Sequence, residues 1–499
     1  MAVPLRRDAG AAVSADFRLR TFLESLGADE LEVIERGVDL AGVAAALEGN
    51  AKAVWFKQLS LAGNVTGSRS RLALAFGTTP RGLLQEVLRR LKNEGEVVDV
   101  KGAAAPVQQV VERDPDLTAL PVHLQHALDG APYISASVDF THDAERGVTN
   151  VGMRRLMLRG RREAGIDLNA PSDLRAIYQA CVKRGERLPI AFAVGSHPVD
   201  QVAATMRLPG DELALIAALR AAPLPVVKCV TSDLRVPADA EYVLEGYLDE
   251  RGYAEPEGPY GEFLGYYGAL KTNPVFHLTA IARRRDAVFQ TSTISGRTLS
   301  RTDTAQLNAL RAEVSVWRAL ETAVRGTKAV YASPASGGAF NVRVALEARV
   351  PGEARNAIAA VFGCLANVKH VFVVDPDVDV FSDEQVEWAL ATRFQADRDL
   401  VVESGFRAIP LDPSLRGAPT GAKAGFDLTL GGRAQPTPLP PAYEGARFAS
   451  VEAALGHGPK HFVELMAATA SRDGREVVRA LEALSSRLTR DEQGRYVLK

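Results

Sequence analysis

Cysteine is scarce: Cys181, Cys229 and Cys364 are the only three in 499 residues. Their odd number and wide spacing argue against a disulfide framework or a Cys-rich metal site and suit a reducing cytosol. A surplus of one charge is missing too. With 59 Lys+Arg against 61 Asp+Glu the formal net charge is −2, so no global field draws the chain to nucleic acid or an anionic membrane. No run of roughly 18 apolar residues occurs, so no membrane span is expected. The opening Met-Ala-Val-Pro-Leu-Arg-Arg-Asp lacks the apolar core of a signal peptide. The expectation is a soluble cytoplasmic protein. Familiar signatures are absent as well. No Gly-x-Gly-x-x-Gly follows a strand, Gly417 to Gly425 lacks Walker spacing around Lys423, and no Gly-x-Ser-x-Gly elbow is present. His123-x-x-His126 and His457-x-x-x-His461 have tolerable metal spacing, but neither has a third ligand nearby. Each reads as a surface or packing pair.

A chain this long exceeds one hydrophobic core, so two or three domains are expected. Residues 15–110 alternate between helix and strand patterns: helical periodicity from Asp29 to Glu48, a strand at Ala53 to Gln58, and an amphipathic helix from Pro80 to Glu94. From Asp114 to Gln290 short β-branched runs dominate, as at Tyr133 to Asp139, Ile190 to Val194 and Val275 to Arg283, predicting a barrel or an open antiparallel sheet. Alternation then returns. Helices are expected at Ala305 to Arg325, Pro351 to Phe362 and Asp383 to Arg393, with strands at Phe340 to Leu346 and Val371 to Val374. The Gly/Pro-rich stretch from Pro410 to Pro441 reads as a long loop or linker. Phe448 to Leu488 reads as a terminal helical segment, serving an oligomer contact or capping its own domain.

Three segments carry candidate chemistry. Glu257-Gly-Pro-Tyr-Gly-Glu262 sets two carboxylates on either side of a turn that glycine and proline keep out of helix. Carboxylates at one buried locus cannot both ionise cheaply, so one holds its proton near neutral pH, as a general acid must. Taken alone, the turn reads slightly more readily as solvated surface. In the second segment, Asn150 and Arg155 lie five apart. A strand distorted at Gly152 would turn both toward one pocket, an amide for a metal or phosphate and a guanidinium for a carboxylate. In the third, Ala203-Ala204-Thr205-Met206 runs into a Pro-Gly turn before Asp211 and Glu212. Glu212 reads as a hard-cation ligand or as an acid favoured at a helix start, and both can hold at once.

Together these segments closely resemble the UbiD family of reversible decarboxylases, and the likeness covers nearly the whole chain. It takes in Asn64-Val-Thr-Gly-Ser-Arg-Ser-Arg-Leu-Ala-Leu-Ala, the Glu257 to Tyr267 block, Lys369-His-Val-Phe-Val-Val-Asp-Pro-Asp, Val386-Glu-Trp-Ala-Leu-Ala-Thr-Arg393 and Lys423-Ala-Gly-Phe-Asp427. The resemblance implies a mixed α/β (α+β) fold: an N-terminal α/β region (1–113), a central split β-barrel domain for prenylated FMN (114–303), and a C-terminal α/β oligomerisation domain with a terminal helix (304–499). It implies a homodimer or higher oligomer, with a flavin prenyltransferase supplying the cofactor.

The same resemblance places an Arg-Glu-Glu catalytic group on Arg155, Glu257 and Glu262. It places cofactor contacts on Asn150, Met153, Arg155, Ala204, Thr205, Met206 and Glu212. Manganese (or magnesium) would use Asn150 and Glu212, with Asp173 where the family often has histidine. Potassium would use backbone at Ala203, Ala204, Met206 and Arg393. The substrate pocket would include Phe263, Thr304, Ile409 and Leu411. Losing CO2 from an sp2 carbon leaves a localised carbanion that no side chain can delocalise, so a cofactor must supply the electron sink. Glu262 then protonates the carbon, Arg155 holds the substrate carboxylate or orients the acids, and Glu257 links the two. Residues 297–306 contain no histidine for a second carboxylate, although Arg297 or Arg301 could serve. A dicarboxylate substrate is thus less favoured, and an aromatic or heteroaromatic monocarboxylate is the preferred reading, ahead of a cinnamate-like acid. The competing readings are a non-catalytic flavin or metal-phosphate assembly protein, against which the acid pair argues, and an FMN oxidoreductase, for which no nicotinamide signature exists.

Overall fold

Tyr133–Asp143 (β1) and Val148–Leu158 (β2) are rich in the β-branched and aromatic residues that suit a pleated, half-buried surface, and they pair as the chain's longest hairpin. The computed structural model describes residues 16–431 and 443–499. Around this hairpin stand Glu163–Ile166 (β3), Leu188–Val194 (β4), Tyr242–Leu248 (β5) and Val275–Arg283 (β6). Their order is β5-β4-β1-β2-β3-β6, and β5 also pairs with β6, so six strands close into a barrel. Leu244 faces Phe192 on one side and Ile281 on the other, and all three are fully buried in one cluster. At the closing seam the register shifts beside Gly246, where any Cβ would sit 2.0 Å from the His277 carbonyl oxygen. Only glycine permits that approach.

Helices Asp173–Arg184 (α1), Pro198–Thr205 (α2) and Glu212–Arg220 (α3) interrupt the barrel strands. After the barrel, Phe289–Thr291 pairs in parallel with Leu61–Gly63, so it completes a four-stranded sheet begun near the N-terminus. Asp303–Ala323 (α4) then leads into a five-stranded sheet, in which Thr327–Ala332, Asn341–Leu346, His370–Val374, Thr420–Asp427 and Leu400–Arg407 follow in spatial order.

Three sequence expectations change. Asp29 to Glu48 is not one helix. Leu31–Ile34 is a strand paired in parallel with Ala53–Phe56, and the helix is confined to Leu40–Leu47. The stretch after Pro410 contains the strand Thr420–Asp427, because its small residues are demanded by packing: a Cβ on Gly425 would lie 2.3 Å from Ile358. The rest of that linker, 432–441, and the opening residues lie outside the described residues. Phe448 to Leu488 is three helices, Val451–Gly456, Phe462–Ala468 and Gly474–Ala483, broken where Gly458 and Ala470 take positive φ. They pack together and with a terminal hairpin, Leu488–Arg490 with Tyr496–Leu498. By contact, the chain divides into two compact units at Thr429/Leu430. Among the described residues no helix is long and apolar enough to cross a membrane.

Candidate active site

The Glu257–Glu262 turn is pinned at both ends. Glu255–Glu257 pairs with Lys271–Asn273, and Tyr260–Gly261 pairs with Tyr267–Gly268. Between them Gly258 takes φ +99° and the Gly258–Pro259 peptide is cis. Asp129 accepts the Gly261 N–H at 2.9 Å, and the Glu262 N–H donates to the Tyr266 carbonyl at 2.8 Å. The turn is not solvated surface: Glu257 is 1% exposed and Glu262 5%.

Arg155, projecting from β2, meets both acids. Its Nε donates to Glu257 Oε1 at 3.1 Å, and its Nη1 donates to Glu262 Oε2 at 3.2 Å. Its Nη2 donates to Asp167 at 2.9 Å, and the guanidinium stacks 4.4 Å above the Tyr260 ring. Asn273 adds a 3.3 Å hydrogen bond to Glu257, and Lys271 lies 3.4 Å from Asp167. Burial, opposed by the charges of Arg155 and Lys271, raises the Glu262 pKa, with Asp167 and Glu257 adding to the rise. Glu262 Oε1 is enclosed and accepts no hydrogen bond among the described residues. Sequence reasoning expected the paired carboxylates to set this shift; burial leads it. Asp167, Lys271, Asn273 and Tyr260 were not singled out. Asp167 lies in Gly-Ile-Asp-Leu-Asn, where only the closure of β2 against β3 brings it to Arg155.

Asn150 belongs elsewhere. Pairing between β1 and β2 is regular through Gly152, and the register shift lies instead between Ile134 and Ser137, opposite Arg155. Asn150 and Arg155 therefore point to opposite faces of β2. Asp211 caps α3 through the Leu213 N–H at 2.9 Å while also accepting the Thr149 N–H at 3.0 Å. This clamp sets Glu212 against the strand, where it accepts from Asn150 Nδ2 at 2.9 Å and from the Val151 N–H. Glu212 thus opens the helix and is also gathered with Asn150. Burial, together with the charges of Asp139 and Asp173, pushes Glu212 up to about 7. A hard cation would relieve that charge, so Asn150 and Glu212 fit as two oxygen donors. Asp173 is not drawn into the pair. It starts α1 with its carboxylate exposed, 4.0 Å from Arg146. Among the described residues no three His, Cys, Asp or Glu side chains are gathered as a metal site. Arg393 is committed to Asp377 at 2.6 Å and Asp375 at 3.4 Å.

A cleft of about 220 Å3 opens above Arg155 and Glu262. Met153 and Arg154 line it from β2, Thr205 from α2, Phe263 from the turn, and Thr304 and Asn308 from α4. Ala203, Ala204 and Met206 are buried beside Thr205. The cleft's apolar wall, and its enclosed Ser292 Oγ and Glu262 Oε1, which make no hydrogen bond among the described residues, fit a polar heteroaromatic cofactor. Of the predicted substrate residues, Phe263 and Thr304 line this cleft. Ile409 lines a different cavity with Lys369 and Asp412, and Leu411 lines neither. Arg301 lines a third, smaller cavity that shares Ser292 and Ile294 with the cleft. His123 is a packing residue, buried and 3.1 Å from Thr291 Oγ1, while His126 pairs with Asp129 at 3.1 Å.

Residues 98–298 match the model of the 3-octaprenyl-4-hydroxybenzoate carboxy-lyase Rift-related domain, and residues 305–428 match that of the C-terminal domain of the same enzymes. An anhydromevalonate phosphate decarboxylase of Methanosarcina mazei is 33% identical over 73% of this chain and 84% of its own. Among solved structures, the UbiD-class enzyme HmfF of Pelotomaculum thermopropionicum, bound to FMN, matches at TM-score 0.78 and 33% identity over 85% of this chain and 97% of its own. An evolved dimeric form of HmfF bound to prFMN matches at 0.76 and 31%, with the same coverage. Vanillic acid decarboxylase of Sedimentibacter hydroxybenzoicus matches at 0.77 and 28% over 88% and 97%.

Proposed function

The chain belongs to the UbiD family of carboxy-lyases and is a decarboxylase, and on that premise we propose that it decarboxylates an aromatic, heteroaromatic or α,β-unsaturated carboxylic acid, reversibly and without net oxidation, using prenylated FMN. The observation that carries this reading is the Arg155 guanidinium holding two buried glutamates, Glu257 and Glu262, with Arg155 and Glu262 lining the cleft. When bound, prenylated FMN supplies the electron sink for the pair left as CO2 departs from an sp2 carbon. Met153, Thr205 and the buried backbone of Ala204 and Met206 would hold it. Asn150 and Glu212 would take a divalent manganese or magnesium ion at its phosphate, and backbone at Ala203, Ala204, Met206 and Arg393 would take potassium.

Glu262 is the proton donor. Its raised pKa keeps it protonated where a free glutamate would be ionised. Arg155 orients the carboxyl oxygens and receives the substrate carboxylate. Glu257, fixed by Asn273 and Arg155, keeps that guanidinium in place. Phe263 and Thr304 wall the side on which the acid would lie. The dimeric HmfF form supports a homodimer or larger assembly, which we place in the cytoplasm.

Co-expression with a flavin prenyltransferase, followed by absorbance spectra, intact cofactor mass and CO2 release, tests the reading. The substrate panel should include hydroxylated benzoic acids, heteroaromatic acids, cinnamic acid and phosphorylated unsaturated acids. Unmodified FMN with no CO2 released from any of them would overturn it.

A further inference from the structure

On α4, Thr304, Leu307 and Asn308 line the cleft, and Arg311 follows one turn later on the same stripe, three to four and seven residues on. Its neighbours Ala309, Leu310 and Ala312 are buried in the core, so the half-exposed stripe of 304, 308 and 311 faces the cleft side of the helix. Arg311 Nε is fully enclosed and meets no acceptor among the described residues. Its strongest charged neighbour is Arg207, just past the cleft residue Thr205, whose own guanidinium reaches only the Pro171 carbonyl at 3.5 Å. Burial, reinforced by the like charge of Arg207, pushes the Arg311 pKa down to about 10. Two neighbouring cations, one half-buried and neither ion-paired among the described residues, leave a charge that an anion would compensate. The planar guanidinium fork matches phosphate oxygens bidentately.

We propose that Arg311, with Arg207, binds a phosphate monoester at this end of the cleft. The inference rests on the flavin reading above. Two sources share the chemistry: the phosphate of the flavin nucleotide and that of a phosphorylated substrate acid.

The test uses the full-length protein freed of flavin, as wild type, Arg311→Met and Arg311→Lys. FMN and riboflavin, which differ only in the phosphate, are titrated by flavin fluorescence. Thermal stabilisation by inorganic phosphate is then measured at saturating FMN. If the flavin phosphate is the ligand, Arg311→Met weakens FMN about 10- to 100-fold, as expected for loss of a charge-assisted pair. Riboflavin affinity stays unchanged and Arg311→Lys recovers part of the loss. If a substrate phosphate is the ligand, FMN affinity is unchanged, but inorganic phosphate stabilises the wild type and not Arg311→Met. Equal losses for FMN and riboflavin would mean a packing role and overturn the proposal. So would unchanged FMN and phosphate responses. Should the wild type bind neither flavin, the flavin reading fails, and the inorganic phosphate arm, run without FMN, still decides the anion site.

Discussion

Arg155 Nη1 lies 3.1 Å from Glu262 Oε1, yet only the neighbouring Oε2 accepts a hydrogen bond from it. One carboxyl oxygen is thereby clamped while the other is left free of protein donors. That division suits a group that must both stay in place and give up a proton. Glu262→Gln keeps the shape and removes the acid. Turnover should fall by about 100- to 10,000-fold while flavin content by absorbance stays at the wild-type level. Near-normal turnover would refute the assignment.

The sign of the pH dependence follows from the same environment. Burial raises the Glu262 pKa, so the acid form survives above the pH at which a free glutamate ionises and is lost as pH rises through the folded-state value. The decarboxylation rate under saturating substrate should therefore show an alkaline limb that Glu262→Asp displaces. A limb unaffected by that change would place the proton elsewhere.

Glu212 offers a separate test. It is gathered with Asn150 and has no cationic partner among the hydrogen bonds it makes. Glu212→Gln should lower divalent metal content by elemental analysis to a small fraction of one equivalent and weaken flavin retention through gel filtration. Full metal occupancy in the variant would remove Glu212 from the cation site.

Asp303 ties α4 to the N-terminal sheet. It is fully buried and accepts from the Thr66 N–H at 2.6 Å, Thr66 Oγ1 at 2.8 Å, the Thr293 N–H at 2.7 Å and Thr293 Oγ1 at 3.0 Å. Removing an acceptor that serves four donors, two of them fully buried, costs about 3–5 kcal/mol. Urea unfolding of Asp303→Ala should show that loss, and a change below about 1 kcal/mol would show that the contact is not structural.

Periodicity and residue type alone determined much of this protein. The β-branched runs of the barrel, the helix Asp383–Arg393 and the core of the α4 helix were legible because their patterns repeat along the chain. Glu257 and Glu262 were legible as neighbours because the glycines and proline between them allow no helix. Other features depended on contacts between distant segments. The strand Thr420–Asp427 looks like linker, since Ile358 presses on it and leaves room only for glycine. Asp167 reaches Arg155 only through the pairing of β2 with β3. The unbroken register at Gly152 separates Asn150 from Arg155, which five-residue spacing could not decide. Burial, which raises the Glu262 pKa, is a property of the assembled fold. A turn sequence can bring two acids together, but only the packing around them determines how strongly water is excluded and which one keeps its proton.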